Sequence, residues 1–260
     1  LPYAESSVTG GEILADYKIS ESVRFVAGTS YESYKQFDVR HFATANVTGK
    51  PLVVNGTTYL PMQYLGGFVD ISENGNWQRD ADRRVYAFYG QGIFDIKKLF
   101  SLKKGAENLS LTVGVRYDHY DDFGSSLNPR FGLVYAPTSD LYFKILYGTA
   151  FRSPNFKELY TINNPATAGS AAVGENLDPE KITATEVLAG YNFTKNLKTT
   201  LTFFSVRADD LIQSREPDVA GSPSVFDNIG ETEASGAEAE FRMLFGRQNY
   251  LYFNATWQDV

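Results

Sequence analysis

The 260-residue sequence lacks cysteine altogether and contains only two histidines, two methionines and two tryptophans. The absence of cysteine excludes disulfide frameworks, thiolate metal sites and cysteine nucleophiles. His41 and His119 lie in separate predicted elements, so no transition-metal site is expected. Basic residues are also few: 24 Lys and Arg against 31 Asp and Glu give a formal net charge of -7. Because phosphate binding requires a basic face, this balance argues against nucleic acid as a partner.

Long apolar runs and catalytic motifs are missing as well. No run reaches the roughly 18 apolar residues that would predict a transmembrane helix. The sequence contains no GxSxG, GxxxxGK[ST] or HExxH motif. Ser110 and His119 are the only Ser/His pair close together within a predicted strand, but they lie about 30 Å apart along it, beyond hydrogen-bonding reach. We therefore expect no enzymatic activity and no cofactor.

The sequence is instead rich in aromatic residues, with 17 Tyr and 19 Phe, a composition that favours β-strands. The segment from residue 109 to 120 shows the clearest alternation by residue. One face of that strand would hold Leu109, Leu111, Val113, Val115 and Tyr117, and the other Ser110, Thr112, Gly114, Arg116 and Asp118. Such a pattern is typical of a strand with lipid on one side and a polar lumen on the other. Similar alternation predicts about ten strands in all.

The lengths of the predicted connections alternate between short and long. Short links are predicted at 20–21, 137–140, 194–196 and 246–248, and longer ones at 37–82, 121–127, 152–182 and 213–224. The link at 97–108 is of intermediate length and takes the place of a short turn. An up-and-down barrel interleaves tight periplasmic turns with longer extracellular loops, so we expect the long loops on one side of a membrane.

Two motifs add a family resemblance to this pattern. AFRSPNFKELY (150–160) resembles the late-barrel motif of TonB-dependent outer-membrane receptors, and GENLDPEKITATEVLAGYNF (174–193) resembles the segment that follows it in that family. NLKTTLTFFSVRADDLIQ (196–213) looks like the family's long strand that ends in two acidic residues, a hydrophobic residue and Ile. The resemblance extends from about residue 83 to residue 260, and the first eighty residues agree in pattern only.

The resemblance implies an all-β, transmembrane, antiparallel up-and-down β-barrel of 22 strands, occluded by an N-terminal plug. About ten of those strands are predicted here, so residues 1–260 are interpreted as a partial barrel domain without a plug. The sequence does not begin with Met, shows no leader, and ends without the terminal aromatic strand of such barrels. An open sheet of ten strands would expose unpaired edges. We therefore expect a fragment of a longer protein.

The function that the resemblance implies is energised, TonB-coupled uptake of a scarce nutrient across the bacterial outer membrane. The expected cargo is a ferric siderophore or a similar chelate. The expected partners are outer-membrane lipid and a TonB-type energy-coupling protein, which would act through a plug. Two alternatives are a passive outer-membrane porin, which the two motifs disfavour, and a soluble all-β binding module.

Candidate site residues fall into two groups. The loop that begins at residue 152 offers polar and charged residues at its mouth and beyond: Arg152, Asn155, Lys157, Glu158, Asn163 and Asn164. They could contact ligand or plug; the favoured interpretation is that those at the mouth fix the loop and the barrel rim, since a motif shared by receptors for many ligands shapes the barrel. The Ala/Gly-rich tip at 166–174 is expected to help close over cargo.

The second group is the lumen-facing set Arg116, Asp118 and Lys144, which alternation places on the inner face. The nearby acidic residues Asp121 and Asp122, together with Asp118, lie at a predicted turn. Three such side chains do not assure enough oxygen ligands for Ca²⁺, so we expect a solvated turn and no metal site.

Overall fold

The computed structural model describes residues 1–260 except 77, 103–104, 162–172, 175, 217–223 and 247. Within this part of the chain no helix is long and apolar enough to cross a membrane. The described elements, in chain order, are β1 (Pro2–Ser20), β2 (Val23–Ala45), β3 (Leu52–Val54), β4 (Thr57–Tyr59), β5 (Tyr64–Asp70), α1 (Ser72–Gly75), β6 (Ala81–Asp95), α2 (Ile96–Leu99), β7 (Asn108–Tyr120), β8 (Gly124–Ala136), β9 (Leu141–Arg152), α3 (Phe156–Tyr160), β10 (Val173–Gly174), β11 (Glu180–Thr194), β12 (Leu197–Arg215), β13 (Val225–Phe245) and β14 (Asn249–Asp259).

Ten long strands form one antiparallel sheet in which each strand pairs with the next long strand along the chain, in the order β1-β2-β6-β7-β8-β9-β11-β12-β13-β14. The short strand β5 extends the end of β2, and β10 adds to β13 in parallel. The predicted all-β, up-and-down fold of about ten strands is therefore confirmed. The sheet is open, because β1 and β14 each pair along one edge only.

The register confirms the two faces predicted from alternation. Val113 pairs across the sheet with Gly92 and Phe131, and its side chain is 44% exposed on the outer, apolar face. Asp118 lies on the opposite, polar face and is only 2% exposed. Side chains alternate along every strand, and residues paired across two strands point to the same face. The face of Val113 therefore fixes the faces of its neighbours on the other strands. The outer face is therefore the one suited to lipid.

Two of the predicted connections are wrong in length. The expected loop at 121–127 is a tight turn at 121–123, since β8 already begins at Gly124 and its first residues pair with the end of β7. Gly124 has a φ of +118°, which a residue without a side chain adopts at little cost. The turn between β6 and β7, which contains α2, is longer than this loop, so short and long connections do not alternate strictly.

The predicted loop at 37–82 is also shorter than expected, because β2 continues to Ala45 and the segment beyond it is structured. Residues Asn55 and Gly56 both have positive φ and close a tight hairpin between β3 and β4, as Asn-Gly pairs commonly do. A small apolar core of Ala43, Leu52, Leu65 and Ile71 lies beneath it. The fully buried Asn46 donates hydrogen bonds to the Lys50 and Tyr59 carbonyls, which holds this segment against the end of β2.

The face assignment predicts unequal costs for two neighbouring substitutions in β7. Val113→Arg places a charge in hydrocarbon and should lower the free energy of unfolding by about 2 to 4 kcal/mol, whereas Thr112→Arg should cost little because that side chain faces the lumen. Folding titrations of the full-length protein in lipid vesicles measure both. Equal penalties at the two positions would show that the faces are assigned wrongly.

Candidate functional site

The loop mouth after β9 is organised by the short helix α3. Asn155 caps this helix: its side-chain oxygen accepts a hydrogen bond from the Glu158 amide at 2.9 Å, and the Glu158 carboxylate accepts one from the Asn155 amide at 2.8 Å. This reciprocal pair is a capping box, which satisfies two amides that the helix itself leaves unpaired. The sequence FKELY therefore begins its helix at a defined residue just outside the sheet.

Arg152, the last residue of β9, joins this helix to two further strands. Its guanidinium donates to Glu158 at 3.0 and 3.1 Å and to Glu180, at the start of β11, at 2.5 and 2.6 Å. Glu180 also accepts a hydrogen bond from the Ile212 amide of β12 at 2.9 Å. Both carboxylates are nearly buried, at 12% and 11% side-chain exposure. One arginine thus ties α3, β9, β11 and β12 together; we call this set the Arg152 cluster.

A second arginine, Arg83 near the start of β6, occupies an even more buried position. It pairs with Asp122 at 2.8 Å, each side chain being 8% exposed, and donates to the Pro154 carbonyl at 2.8 Å. Aromatic rings surround the guanidinium, with centroids 5.0 Å away for Phe123 and Phe156 and 5.6 Å away for Tyr120. Such cation–π contacts suit a partly dehydrated guanidinium. We call this set the Arg83 cluster.

The Arg83 cluster connects the turn at 121–123 with α3. Tyr160 donates a hydrogen bond to Asp122 at 2.9 Å, and Arg79 lies 4.9 Å from the centre of the Tyr160 ring. Burial first, and then the bond to Asp122, raise the pKa of Tyr160 to about 12, so the phenol stays protonated and donates throughout the neutral range. The expectation of a solvated acidic turn is wrong for Asp122, which is buried and paired with Arg83, and for Asp118, which is buried on the inner wall.

The candidate residues of the loop mouth differ in what their side chains contact. Arg152, Asn155 and Glu158 are engaged in the ion pairs and the cap described above. Lys157 is exposed on α3 and, within the described residues, its side chain has no ion-pair or hydrogen-bond partner. Asn163 and Asn164 lie outside the described residues, as does most of the 166–174 tip, of which only the two-residue strand β10 is described.

The inner wall of the sheet carries the lumen-facing candidates. Arg116 donates to Asp118 at 2.9 and 3.0 Å, and its guanidinium lies 5.5 Å from the centre of the Tyr89 ring. Lys144 lies 5.6 Å from the centre of the Tyr142 ring. Arg130 stands opposite both Gly114 and Gly148 and forms no ion pair within the described part of the chain. Arg130 and Lys144 are therefore cations of the inner wall without an ion pair in the described part of the chain, and the exposed Glu186 is a carboxylate of the same wall without one.

Comparison with known proteins decides the family. The model of the family described as TonB dependent receptor-like, beta-barrel matches residues 6–260. The chain belongs to this family. TonB-dependent receptors are outer-membrane β-barrels of bacteria, so the outer membrane is where this chain resides and its outer face meets lipid. The family and fold are those of transport receptors rather than enzymes.

Individual relatives agree with the family. Heme/hemopexin utilization protein C of Haemophilus influenzae is 28% identical over 163 residues, covering 52% of this chain and 23% of that protein. Among solved structures, the FrpB iron transporter of Neisseria meningitidis matches 98% of this chain at 15% identity with a TM-score of 0.65. The ferric enterobactin receptor PfeA of Pseudomonas aeruginosa matches 100% at 16% identity with a TM-score of 0.68. The chain spans 35% and 36% of those two structures.

Sequence reasoning did not find the Arg83 cluster or the role of Glu180. Arg83 and Asp122 are 39 positions apart, and Arg83 and Pro154 are 71 apart, so no local pattern joins them. Glu180 lies within the GENLDPEKITATEVLAGYNF segment, and its pairing with Arg152 of the preceding motif could have been suspected from the opposite charges. The two family motifs meet physically at that ion pair.

The Arg152 cluster predicts a local loss of stability when its cation is removed. Arg152→Met leaves the Glu158 and Glu180 carboxylates close together and without their counter-ion, which should cost about 1 to 3 kcal/mol and loosen the loop. Limited proteolysis of the full-length protein should show faster cleavage between residues 153 and 179, with the barrel intact. Lys157→Met on the same helix is the matched control and should change nothing. Equal protease resistance of Arg152→Met and the native protein would contradict the role of this ion pair.

Proposed function

We propose that the whole protein, of which this chain supplies part of the barrel, is an outer-membrane receptor for TonB-coupled uptake of an iron chelate. A ferric siderophore or a similar chelate is the cargo that we infer. Family membership is the observation that carries the proposal, because it connects this sheet to receptors that pass nutrients through a plugged barrel. The names of the relatives, an iron transporter, a ferric enterobactin receptor and a heme utilization protein, favour iron among the possible nutrients.

Two cations of the inner wall, Arg130 and Lys144, would suit an anionic cargo, and the exposed Glu186 carboxylate lies on the same wall. Arg116 is neutralised by Asp118, but Arg130 and Lys144 have no acidic partner within the described residues. A recess of about 280 Å³ lies beside Arg130 and is lined also by Tyr89, Arg116 and Asn128. Many iron chelates expose carboxylate or deprotonated phenolic oxygens, and such groups are attracted to unpaired cations in a lumen. The recess is small, so it would form only one wall of a chelate site.

A passive porin, which has the same β-barrel architecture, is the alternative to an energised receptor. It would share the lipid-facing aromatic residues and the polar lumen, and it would need neither plug nor energy coupling. The match of the family model over nearly the entire chain favours the energised receptor. The dependence of transport on the energy-coupling protein separates the two.

The proposal is tested by uptake of radiolabelled iron chelates into iron-starved cells that express the full-length protein. Uptake should depend on the receptor and should be abolished when the TonB-type protein is deleted. Arg130→Gln combined with Lys144→Gln should reduce the initial rate by roughly thirtyfold if these cations attract an anionic cargo, since two cations that each contribute on the order of 1 kcal/mol together contribute about 2 kcal/mol.

The matched control is Lys195→Gln, a cation in the turn between β11 and β12 that lies off the inner wall. It should transport at the native rate. Transport of chelates that persists without the energy-coupling protein would overturn the receptor assignment in favour of a porin. Native rates in the double variant would show that the inner-wall cations do not attract the cargo and would leave energy coupling untouched.

A further inference from the structure

The inner wall of the sheet carries a second recess, at the end where the turns are short. It has a volume of about 510 Å³, which is in the range of small-molecule sites. Its main lining residues are Tyr142, Lys198, Thr200, Glu240, Arg242 and Tyr252. Tyr142 lies two residues from Lys144 on the same face of β9, so the recess opens into the lumen. Short turns mark the periplasmic side of such barrels, and the recess therefore lies near the periplasmic exit.

Two cations of this recess stand directly opposite each other. Lys198 pairs in register with Arg242 across β12 and β13, and both side chains are exposed. Within the described residues neither forms an ion pair. We call these two residues the recess pair. Like charges directly opposite on neighbouring strands destabilise a sheet, so an anion that binds between the two groups would relieve that cost.

A similar pair of cations at the same end of the inner wall differs in one respect. Lys18 stands opposite Arg24 across β1 and β2. Lys18 forms an ion pair with Glu21 at 2.5 Å, and Arg24 forms one with Asp16. The sheet supplies each of these cations with a carboxylate of its own, whereas the recess pair has none within the described part of the chain.

One carboxylate also lines the recess. Glu240 accepts hydrogen bonds from the Tyr252 phenol at 2.7 Å and from the Thr200 hydroxyl at 3.2 Å. Glu238 lies on the same face two residues further from the turn, roughly 7 Å along the strand, and is not among the lining residues. The recess therefore holds two cations against one carboxylate that two hydroxyl groups already contact, and its net charge is positive.

The shape of the recess depends on a glycine of β11. Gly190 pairs with Tyr142 on one side and with Thr200 on the other. A Cβ added at Gly190 would lie only 2.2 Å from Cζ of Tyr142, so the ring lies against the glycine backbone and lines the recess without filling it. Lys144 lies 5.6 Å from the centre of the same ring. The recess thus borders one of the inner-wall cations described above.

We propose that this recess is a second binding site for the cargo, occupied on the way to the periplasm, and that it takes an anionic chelate with aromatic rings. Lys198 and Arg242 contact the anionic oxygens, and the Tyr142 and Tyr252 rings pack against the rings of the chelate. This site rests on the proposed uptake function, because it adds a later step along the same wall. A strand that pairs with the free edge of β14 leaves the recess open, since neighbouring strands meet at their edges.

The test uses iron-starved cells that express the full-length receptor, and a ferric tris-catecholate labelled with radioactive iron as the anionic, aromatic probe. Surface binding is measured in cells that lack the TonB-type protein, and the initial rate of uptake in cells that contain it. Lys198→Gln combined with Arg242→Gln should leave surface binding within about twofold and reduce the uptake rate about thirtyfold, because the two lost cations act only after entry. Lys18→Gln combined with Arg24→Gln is the matched control: it removes two cations that are already paired and should change both values less than about twofold.

A second variant changes the shape of the recess and leaves its charge alone. Gly190→Ala pushes the Tyr142 ring into the recess and should reduce the uptake rate about fivefold, again with surface binding unchanged. Gly90→Ala in β6 is the matched control, because an added Cβ there meets nothing within 4 Å. Native surface binding shows that each variant is folded.

Several results would overturn the proposal. A native uptake rate in the variant of the recess pair would remove this site, while energy-coupled uptake by the native receptor would still support the proposed function. Equal losses in the two double variants would assign the effect to net charge, and weaker surface binding would place the recess pair at the first cargo site. Entry of a large antibiotic that the native receptor excludes would show that the recess pair holds the plug instead. Absence of energy-coupled uptake by the native receptor would remove the proposed function and this site together.

Discussion

The structure depends on one constraint: in hydrocarbon every backbone amide and carbonyl must find its partner within the protein, while the side chains facing outward must be apolar. Long antiparallel strands meet both demands in the interior of the sheet, because the ladder pairs the backbone and the alternation of side chains separates lipid from lumen; the outer edges of β1 and β14 are the exception in the described chain. The face of Val113, once set, is transmitted through the register to every neighbouring strand. The placement of Arg130 inside and of Arg84 outside follows from that same phase.

Beyond the lipid the constraint relaxes, and other interactions must hold the chain. At the loop end two arginines take over this role, each in contact with groups from elements far apart in sequence. Arg83 is surrounded by aromatic rings and paired with Asp122, whereas Arg152 bridges Glu158 and Glu180. Breaking such pairs leaves a poorly solvated charge alone, which is far costlier than losing an exposed pair. These pairs hold the rim to the end of the sheet, and Lys157 lies exposed on the helix that they anchor.

The sequence allowed the faces and the family to be predicted, but not the rim. Period-two alternation is a local signal, so the outward position of Val113 and the inward position of Asp118 could be read directly. The turn at 121–123 is shorter than the pattern predicts, because polar residues continue a strand once it leaves the lipid, where both faces meet water. The Arg83–Asp122 pair joins residues 39 positions apart and leaves no periodic trace. The Asn55–Gly56 pair is a local hairpin signal, and it accounts for the turn between β3 and β4 inside the predicted 37–82 loop.

The central claim is that one face of this sheet meets lipid and the other a polar lumen. In β7 the odd-numbered residues face the lipid and the even-numbered ones the lumen. Spin labels placed singly at residues 109 to 120 of the full-length protein in bilayers test it most directly, through their accessibility to oxygen, which partitions into lipid, and to a water-soluble nickel complex. The account predicts strict alternation from residue 109 to residue 117, with odd positions such as Val113 accessible to oxygen and even positions such as Thr112 accessible to nickel or to neither. An absence of alternation, or the opposite phase, would contradict it.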